Sequence, residues 1–329
     1  MKRLAIVGGG AWGSALAMVT RRAGSIPVVW ARDREVVAAI NREHQNPAFL
    51  PGVSLDPVIA ATGDMSLAIQ GAQCVALVVP AQTLREVGQI VASHLDRTLP
   101  VLLCAKGIET RSLQTMTEVA AEVLPGSPVA VLSGPTFAAE VAHNLPTAVT
   151  IASTDAAVGR AFAEALGSSR FRPYLSSDPV GAEIGGAVKN VLAIACGIVV
   201  GRGLGENARA SLITRGLAEM TRLGIAKGAR AAGFSGLSGL GDLVLTCSSA
   251  QSRNYALGLA LGRGEALEAV LGGSRSVIEG VATAAAVVQL AAQHGIEMPI
   301  CASVDAILHR GEQIDAVIDL LLRRPYRTE

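Results

Sequence analysis

Aromatic rings are nearly absent: five Phe, three Tyr and two Trp are all that this 329-residue chain carries. Such a chain cannot fill its interior with large side chains. Half of it is nevertheless hydrophobic and rich in Ala, Val, Leu and Gly, the composition of closely packed helices and buried parallel strands. Net charge is only +1, so no global field draws in nucleic acid or an anionic membrane, and neither partner is expected. The five cysteines, Cys74, Cys104, Cys196, Cys247 and Cys301, form no CxxC and no Cys/His cluster. They read as lone buried thiols rather than metal ligands or disulfides, which points to a reducing compartment and a cytoplasmic protein. The longest apolar run, Val191 to Val200, is too short to span a bilayer and contains Gly197. At the start, MKRLAIVGGG has charges and an apolar run, but glycines end the run after five residues. That predicts a first strand and not a signal peptide.

Lysine is the scarcest charged residue. Of 28 Lys and Arg, only Lys2, Lys106, Lys189 and Lys227 are lysines. Where arginine is the default cation, a lysine marks a place that can use a proton that guanidinium cannot release. Lys106 follows an apolar strand in VLLCAKGIE, and Lys189 lies in GGAVKNVLAIA among residues that would desolvate it. A desolvated lysine beside a second cation has a lowered pKa, which suits a proton donor. Codon bias with two snorkelling lysines explains the counting equally well, so the choice falls to other motifs. None of the five histidines sits in a relay motif, and no internal repeat or low-complexity linker is present.

The length suits two domains. Up to about Ser177, short apolar runs alternate with amphipathic segments, the pattern of βαβ units. Leu4–Val7, Pro27–Trp30, Val75–Val79 and Val101–Cys104 read as parallel strands, with Val129–Leu132, Ala148–Ala152 and Phe171–Leu175 as later strands of the same sheet. Helices are expected over Gly13–Ala23, Asp33–Arg42, Thr83–His94 and Leu113–Val123. From Asp178 the strand pattern stops and an Ala/Leu-rich helical region follows. Asp178-Pro179 fits a helix cap followed by proline in the first turn. The expected architecture is therefore α/β: a Rossmann-type doubly wound sheet over residues 1–177 and an all-helical substrate domain over 178–329, with the site in the cleft between them.

Gly8-Gly9-Gly10-Ala11-Trp12-Gly13 places GxGxxG directly between the first strand and the first helix. Gly8 permits the tight turn, Gly10 lets backbone approach a pyrophosphate, and Gly13 lets helix pack on strand. At the end of the second strand Arg32 comes before Asp33 and Arg34, which favours NADP, or use of both cofactors, over strict NAD. Asp33 is either a ribose ligand or the cap of the next helix, the cap being the favoured reading.

Two segments suit a small phosphorylated substrate. Ser133-Gly134-Pro135-Thr136-Phe137 follows a strand and is expected to open a helix with Pro135 in its first turn. Ser252-Arg253-Asn254 sits near a helix start, where an arginine with hydroxyl and amide neighbours makes a phosphate clamp. In GLSGLGDLV, Asp242 is either a helix cap or the group that holds a lysine and the substrate.

Taken in order, GGGAWGSALA, NPAFLPG, AKGIE, LSGPTFAAE, GGAVKNVLAIACG, NARASLITRGLAEM, GLGDLVLTC, QSRN and VIEG resemble the bacterial NAD(P)-dependent glycerol-3-phosphate dehydrogenases over essentially the whole chain. The resemblance implies reversible reduction of dihydroxyacetone phosphate to sn-glycerol 3-phosphate for phospholipid synthesis, in a homodimer. It implies Lys189 as acid/base, with Lys106 touching both substrate and cofactor. It matches Gly134, Thr136, Asp242, Ser252, Arg253 and Asn254 with substrate contacts, and Trp12, Arg32, Ala138, Arg253, Val277 and Glu279 with cofactor contacts. Asp242 is expected to orient Lys189, and Asn190 to hydrogen-bond substrate. No metal is expected, since ammonium groups supply the electrophile. The departures are Gly9, where the family often has alanine, and Val200 and Arg202, where it commonly has an acid and an apolar residue. Rival readings are another lysine-dependent two-domain reductase, of the 3-hydroxyacid dehydrogenase or ketopantoate reductase type, and a non-catalytic NADPH-sensing module.

Overall fold

The computed structural model describes residues 3–95, 98–273 and 277–325. The sheet-forming part opens with β1 (Arg3–Val7), α1 (Ala11–Arg22), β2 (Ile26–Trp30), α2 (Arg34–Glu43), the hairpin strands β3 (Gln45–Asn46) and β4 (Leu50–Ser54), and β5 (Ala60–Thr62). It continues through α3 (Met65–Ile69), β6 (Cys74–Leu77), α4 (Leu84–Ser93), β7 (Val101–Leu103), α5 (Met116–Val123) and β8 (Val129–Ser133). It closes with α6 (Ala138–Ala142), β9 (Thr147–Ala152), α7 (Ala156–Leu166) and β10 (Phe171–Ser176). The helical part holds α8 (Pro179–Gly201), α9 (Glu206–Ala226), a π-helical turn (Leu237–Gly241), α10 (Asp242–Cys247) and α11 (Arg253–Gly262). After these come α12 (Leu267–Gly272), α13 (Glu279–Gln293), α14 (Pro299–His309) and α15 (Ile314–Leu322).

Eight strands form one sheet in the order β10-β9-β8-β7-β6-β1-β2-β5. From β5 to β8 all pairings are parallel, the arrangement of a doubly wound dinucleotide-binding sheet whose strand order reverses between β1 and β6. Side chains alternate in β1: Leu4 and Ile6 enter the core on one face, Ala5 and Val7 the core on the other. Burial on both faces is why these strands read as unbroken apolar runs.

The structure departs from the sequence expectations in four places. β9 runs antiparallel to β8, a reversal that strand periodicity does not encode, because side-chain alternation is blind to direction. NPAFLPG forms the β3–β4 hairpin, too short and too rich in turn residues to register as strands. The helix expected from Leu113 begins at Met116, because Thr115 and Glu118 form a capping box and Leu113 has φ 60°. Pro135 is not in a helix: Gly134 takes φ 135° and Thr136 Oγ1 bonds back to the Gly134 carbonyl, so α6 starts only at Ala138.

Asp178 does cap α8, accepting from Gly181 N, with Pro179 in the first turn. Its other carboxylate oxygen accepts from Arg230 N at 2.8 Å. α8 is long and apolar enough to cross a membrane by length and composition, because the apolar residues on both sides of Lys189 and Asn190 keep its mean hydropathy high. Every residue from Gly181 to Val199 is nonetheless buried inside the protein. Close approach makes this possible: Gly197 and Gly201 of α8 face Gly258 and Gly262 of α11, where a Cβ at any of the four would collide with backbone. Arg202, at the end of α8, pairs with Asp315 of α15 at 3.1 Å, which explains a cation there.

A Cβ at Gly258 would overlap the Ile194 carbonyl oxygen and lie 2.8 Å from its carbon. Gly258→Ala is therefore expected to destabilise the fold by about 1–3 kcal/mol. Gly272→Ala, at a helical site with nothing within 4 Å of the added carbon among the described residues, should be neutral or stabilising by up to ~1 kcal/mol. Thermal denaturation of both variants checks this; equal midpoints would contradict the packing account.

Candidate active site

Three elements from distant parts of the chain meet at one carboxylate. Lys106 leaves the loop after β7, Lys189 projects from the middle of α8, and Asp242 opens α10 where the π-helical turn delivers it. A π-helical turn shifts the register of the side chains that follow it and recurs at functional sites. Lys189 Nζ lies 2.6 Å from Asp242 Oδ1, and Lys106 Nζ lies 2.7 Å from Asp242 Oδ2. Asp242 has no exposed surface, and Lys189 is 5% exposed. Lys106 also donates to the Gly134 carbonyl at 2.9 Å, and Lys189 to Thr246 Oγ1 at 2.8 Å.

Two cations on one buried anion leave an excess positive charge. Burial lowers the pKa of Lys189 to about 8; Asp242 pulls it up, and the charge of Lys106 pushes it down. Burial alone would raise the carboxyl of Asp242, but Lys106 and Lys189 outweigh it and hold the group below the usual carboxylate range. An ammonium with a pKa so lowered can release its proton near neutral pH. Thr246, four residues after Asp242, completes the set by donating to Asp242 Oδ1 at 3.2 Å. Sequence reading passed over Thr246, although an Asp and a Thr at helical i, i+4 spacing in DLVLTC was the available signal.

The Lys106 loop is gripped from several sides. Gln82 donates to the Ile108 carbonyl at 2.8 Å and accepts from Thr110 N at 3.0 Å. Arg85 forms a two-pronged pair with the buried Glu109 at 2.9 and 3.0 Å. Asn190, one position after Lys189, donates to the Lys106 carbonyl at 3.0 Å and accepts from Asn254 Nδ2 at 2.9 Å. Asn254 Oδ1 in turn accepts from Gly280 N at 2.9 Å. Both ends of the Asn190 amide are thus engaged within the protein, leaving one lone pair on Oδ1 for any further donor.

Ser252 caps α11, accepting from Tyr255 N, and Arg253 and Asn254 are the first residues of that helix. Arg253 donates one guanidinium nitrogen to the Val277 carbonyl at 2.7 Å, joining the proposed phosphate segment to Val277 and Glu279. Gly134 and Thr136 lie at the end of β8, on the Lys106 side. Arg32 is exposed at the end of β2, while Asp33 is spent on capping α2, accepting from Glu35 N at 2.8 Å.

The glycine loop fits a dinucleotide. Gly8 has φ 133°, and a Cβ there would overlap the Val78 carbonyl after β6, which places the loop at the point where strand order reverses. A Cβ at Gly13 would overlap the Gly8 carbonyl, whereas Gly10 has nothing within 4 Å among the described residues, leaving the room a pyrophosphate needs. Gly9 cannot carry alanine without movement, since its Cβ would lie 2.5 Å from that of Ala31. Trp12 belongs to the first turn of α1, and Ala138 opens α6. Across the cleft, Glu279 Oε1 accepts from Ala81 N at 3.0 Å. Its Oε2 and the Thr283 hydroxyl are buried without a partner among the described residues, and both face the Cβ-less side of Gly107. Burial raises the pKa of Glu279. Such unpaired buried polar groups are rare in a folded protein.

Comparison with known proteins bears on both halves. The N-terminus model of NAD-dependent glycerol-3-phosphate dehydrogenase matches residues 3–159, and its C-terminus model matches residues 178–319. A glycerol-3-phosphate dehydrogenase (NAD(P)+) of Rhodospirillum rubrum is 58% identical over 326 residues, covering 99% of this chain and 93% of the relative. Its counterpart in Caulobacter vibrioides is 56% identical, covering 100% and 99%. The crystal structure of a glycerol-3-phosphate dehydrogenase from Coxiella burnetii superposes with a TM-score of 0.95 at 39% identity, covering 98% of this chain and 99% of that one.

A titration tests the electrostatics. With only four lysines in the chain, selective labelling of lysine side chains lets NMR follow Lys189 directly. It is expected to titrate near pH 8, against about 10.4 for a free lysine. Asp242→Asn removes the charge that favours the ammonium, so the midpoint should move lower still. A Lys189 midpoint at the free-lysine value would refute the arrangement.

Proposed function

The chain belongs to the NAD-dependent glycerol-3-phosphate dehydrogenase family, and on that premise we propose that the cleft around Asp242 is where its reaction takes place. It is an NAD(P)-dependent oxidoreductase that interconverts sn-glycerol 3-phosphate and dihydroxyacetone phosphate. When bound, the nicotinamide supplies a hydride to the ketone carbon or takes it back. The single observation that carries the site assignment is the pair of ammonium groups on the two oxygens of one buried carboxylate.

In the reducing direction, Lys189 passes its proton to the ketone oxygen as negative charge grows there, and in the reverse direction its free amine takes the proton from the hydroxyl. Lys106 holds the same end of the substrate. Asp242 and Thr246 aim Lys189 and take no proton themselves. Ser252, Arg253 and Asn254 at the start of α11, with Gly134 and Thr136 opposite, hold the phosphate. Asn190 ties the Lys106 loop to this clamp and offers its remaining lone pair to the substrate. Gly8, Gly10, Trp12, Gly13 and Ala138 would line the cofactor on the sheet side, with Val277, Glu279, Arg253 and Lys106 on the other. Arg32, with Asp33 occupied as a cap, supports preference for NADP through its 2′-phosphate.

Division of the chain at 177/178 is supported by the end of β10 at Ser176 and the capped start of α8. A cytoplasmic location is supported by the five free, buried thiols, and supply of glycerol 3-phosphate to phospholipid synthesis by the reaction itself. A homodimer is supported by α9, which buries few of its residues and leaves Leu212, Ile213 and Leu217 only partly covered. Family models of glycerol-3-phosphate dehydrogenase that match both halves favour that activity over another lysine-dependent reductase or a silent NADPH sensor.

Oxidation of NADPH by dihydroxyacetone phosphate tests the function. Lys189→Arg keeps the charge but removes the usable proton, and kcat should fall on the order of 100-fold or more with little change in NADPH affinity; near-normal turnover would end the proton-donor role. Arg253→Ala tests the substrate class. It should raise KM for dihydroxyacetone phosphate strongly and change the weak activity on dihydroxyacetone little, with kcat free to fall because remote binding energy also orients the reacting carbon. Proportional losses on both ketones would mean that Arg253 serves the fold instead.

A further inference from the structure

NPAFLPG is the motif that the reaction leaves unexplained. Its first residue, Asn46, stands on β3, directly after the left-handed His44 that ends α2, and is fully buried. Its side chain reaches out of the hairpin to the cofactor loop. Nδ2 lies 2.9 Å from the Gly9 carbonyl and 2.9 Å from Ser14 Oγ. A carbonyl can only accept, so the amide nitrogen must be the atom that faces it. One donor group thus bridges the middle of the glycine loop and the second turn of α1.

We propose that Asn46 is a positioning residue for the cofactor, setting the direction of the Gly9–Gly10 peptide. In a planar trans peptide the C=O and the following N–H point in opposite directions. Holding the Gly9 carbonyl toward the hairpin turns the Gly10 N–H to the other side. Gly10 is also the position with open space around it, at the N-terminal end of a twelve-residue helix, where backbone N–H groups serve an anion. Without this grip the Gly9–Gly10 peptide is free to rotate, because both residues are glycine and neither has a Cβ to restrict it.

A second observation argues that Asn46 is there for its donor and not for its bulk. The Oδ1 atom is buried with no partner among the described residues, a cost that an apolar side chain of similar size would avoid. Ser14 is itself buried, so the fork is shielded from water that could replace it. The hairpin holds Asn46 through its pairing with Leu50 and the bond from Phe49 N to the Asn46 carbonyl.

The proposal rests on the glycine loop being the NAD(P) site, and the experiment separates the two. NADPH and adenosine 2′-phosphate are titrated calorimetrically against wild type, Asn46→Ala and Asn46→Leu; the leucine keeps the bulk but has no donor. Expected is at least a tenfold loss of NADPH affinity in both variants. Adenosine 2′-phosphate, which lacks the pyrophosphate, should bind as in wild type, and KM for dihydroxyacetone phosphate at saturating NADPH should stay unchanged. NADPH affinity within twofold of wild type overturns the proposal, as does parallel weakening of both ligands, or failure of both variants to fold, each of which assigns Asn46 to the scaffold. Absence of NADPH binding by wild type would instead overturn the reading of the loop.

Discussion

Everything at this site depends on the buried carboxylate of Asp242 being shared between two ammonium groups. An ionised carboxylate buried alone is costly enough that it would take up a proton. Here Lys189 and Lys106 each sit on one of its oxygens, so it stays charged and the pair of lysines can approach one another. The balance is uneven by one positive charge, and that surplus is what a developing oxyanion and a phosphate ester require. Removing one partner of a buried pair typically costs 3–5 kcal/mol, on the order of half the stability of a domain. Site and fold are therefore hard to separate at this position.

The same triad also joins the two parts of the chain. Lys106 belongs to the sheet, Lys189 and Asp242 to the helices, and the bonds that fix them run across the boundary. Asn190 bonds to the Lys106 carbonyl, Asn254 to Asn190, and Gly280 N to Asn254. Arg253 reaches Val277, and Glu279 reaches Ala81. Residues proposed for phosphate, proton transfer and cofactor are thus tied together by these bonds and by adjacency along the chain. Beyond it, Glu118 of α5 pairs with Lys227 at 2.7 Å, and Glu183 of α8 accepts from Thr117 N and Oγ1 at 2.7 and 2.6 Å. Burial raises the pKa of Glu183 to about 7.

Rigid support for this network comes from glycine rather than from bulk. A chain with so few aromatic residues packs α8 by bringing backbones together, through Gly197 and Gly201 against Gly258 and Gly262. α8 then lies at the centre of the helical part with no face to solvent between Gly181 and Val199. A lysine on such a helix is desolvated wherever it points. Its usable pKa is a by-product of where the helix sits.

By itself the sequence determined whatever is local or compositional. It showed the β1-loop-α1 unit, because GxGxxG and the flanking apolar runs are contiguous, and the start of α8, because Asp178 and Pro179 are adjacent. It singled out Lys106, Lys189 and Asp242 by scarcity, by desolvating neighbours and by a family resemblance whose membership the comparisons establish. Tertiary structure alone decided that both lysines share one carboxylate, since 136 residues separate Lys106 from Asp242 and 53 separate Lys189 from it. It also decided the reversed direction of β9 and the grip of Asn46 on Gly9 from 37 residues away. Periodicity and motifs report a residue's own backbone and its near neighbours. Which distant groups come within 3 Å is set by how helices and strands pack, and a buried charge or hydrogen bond takes its meaning from that distance.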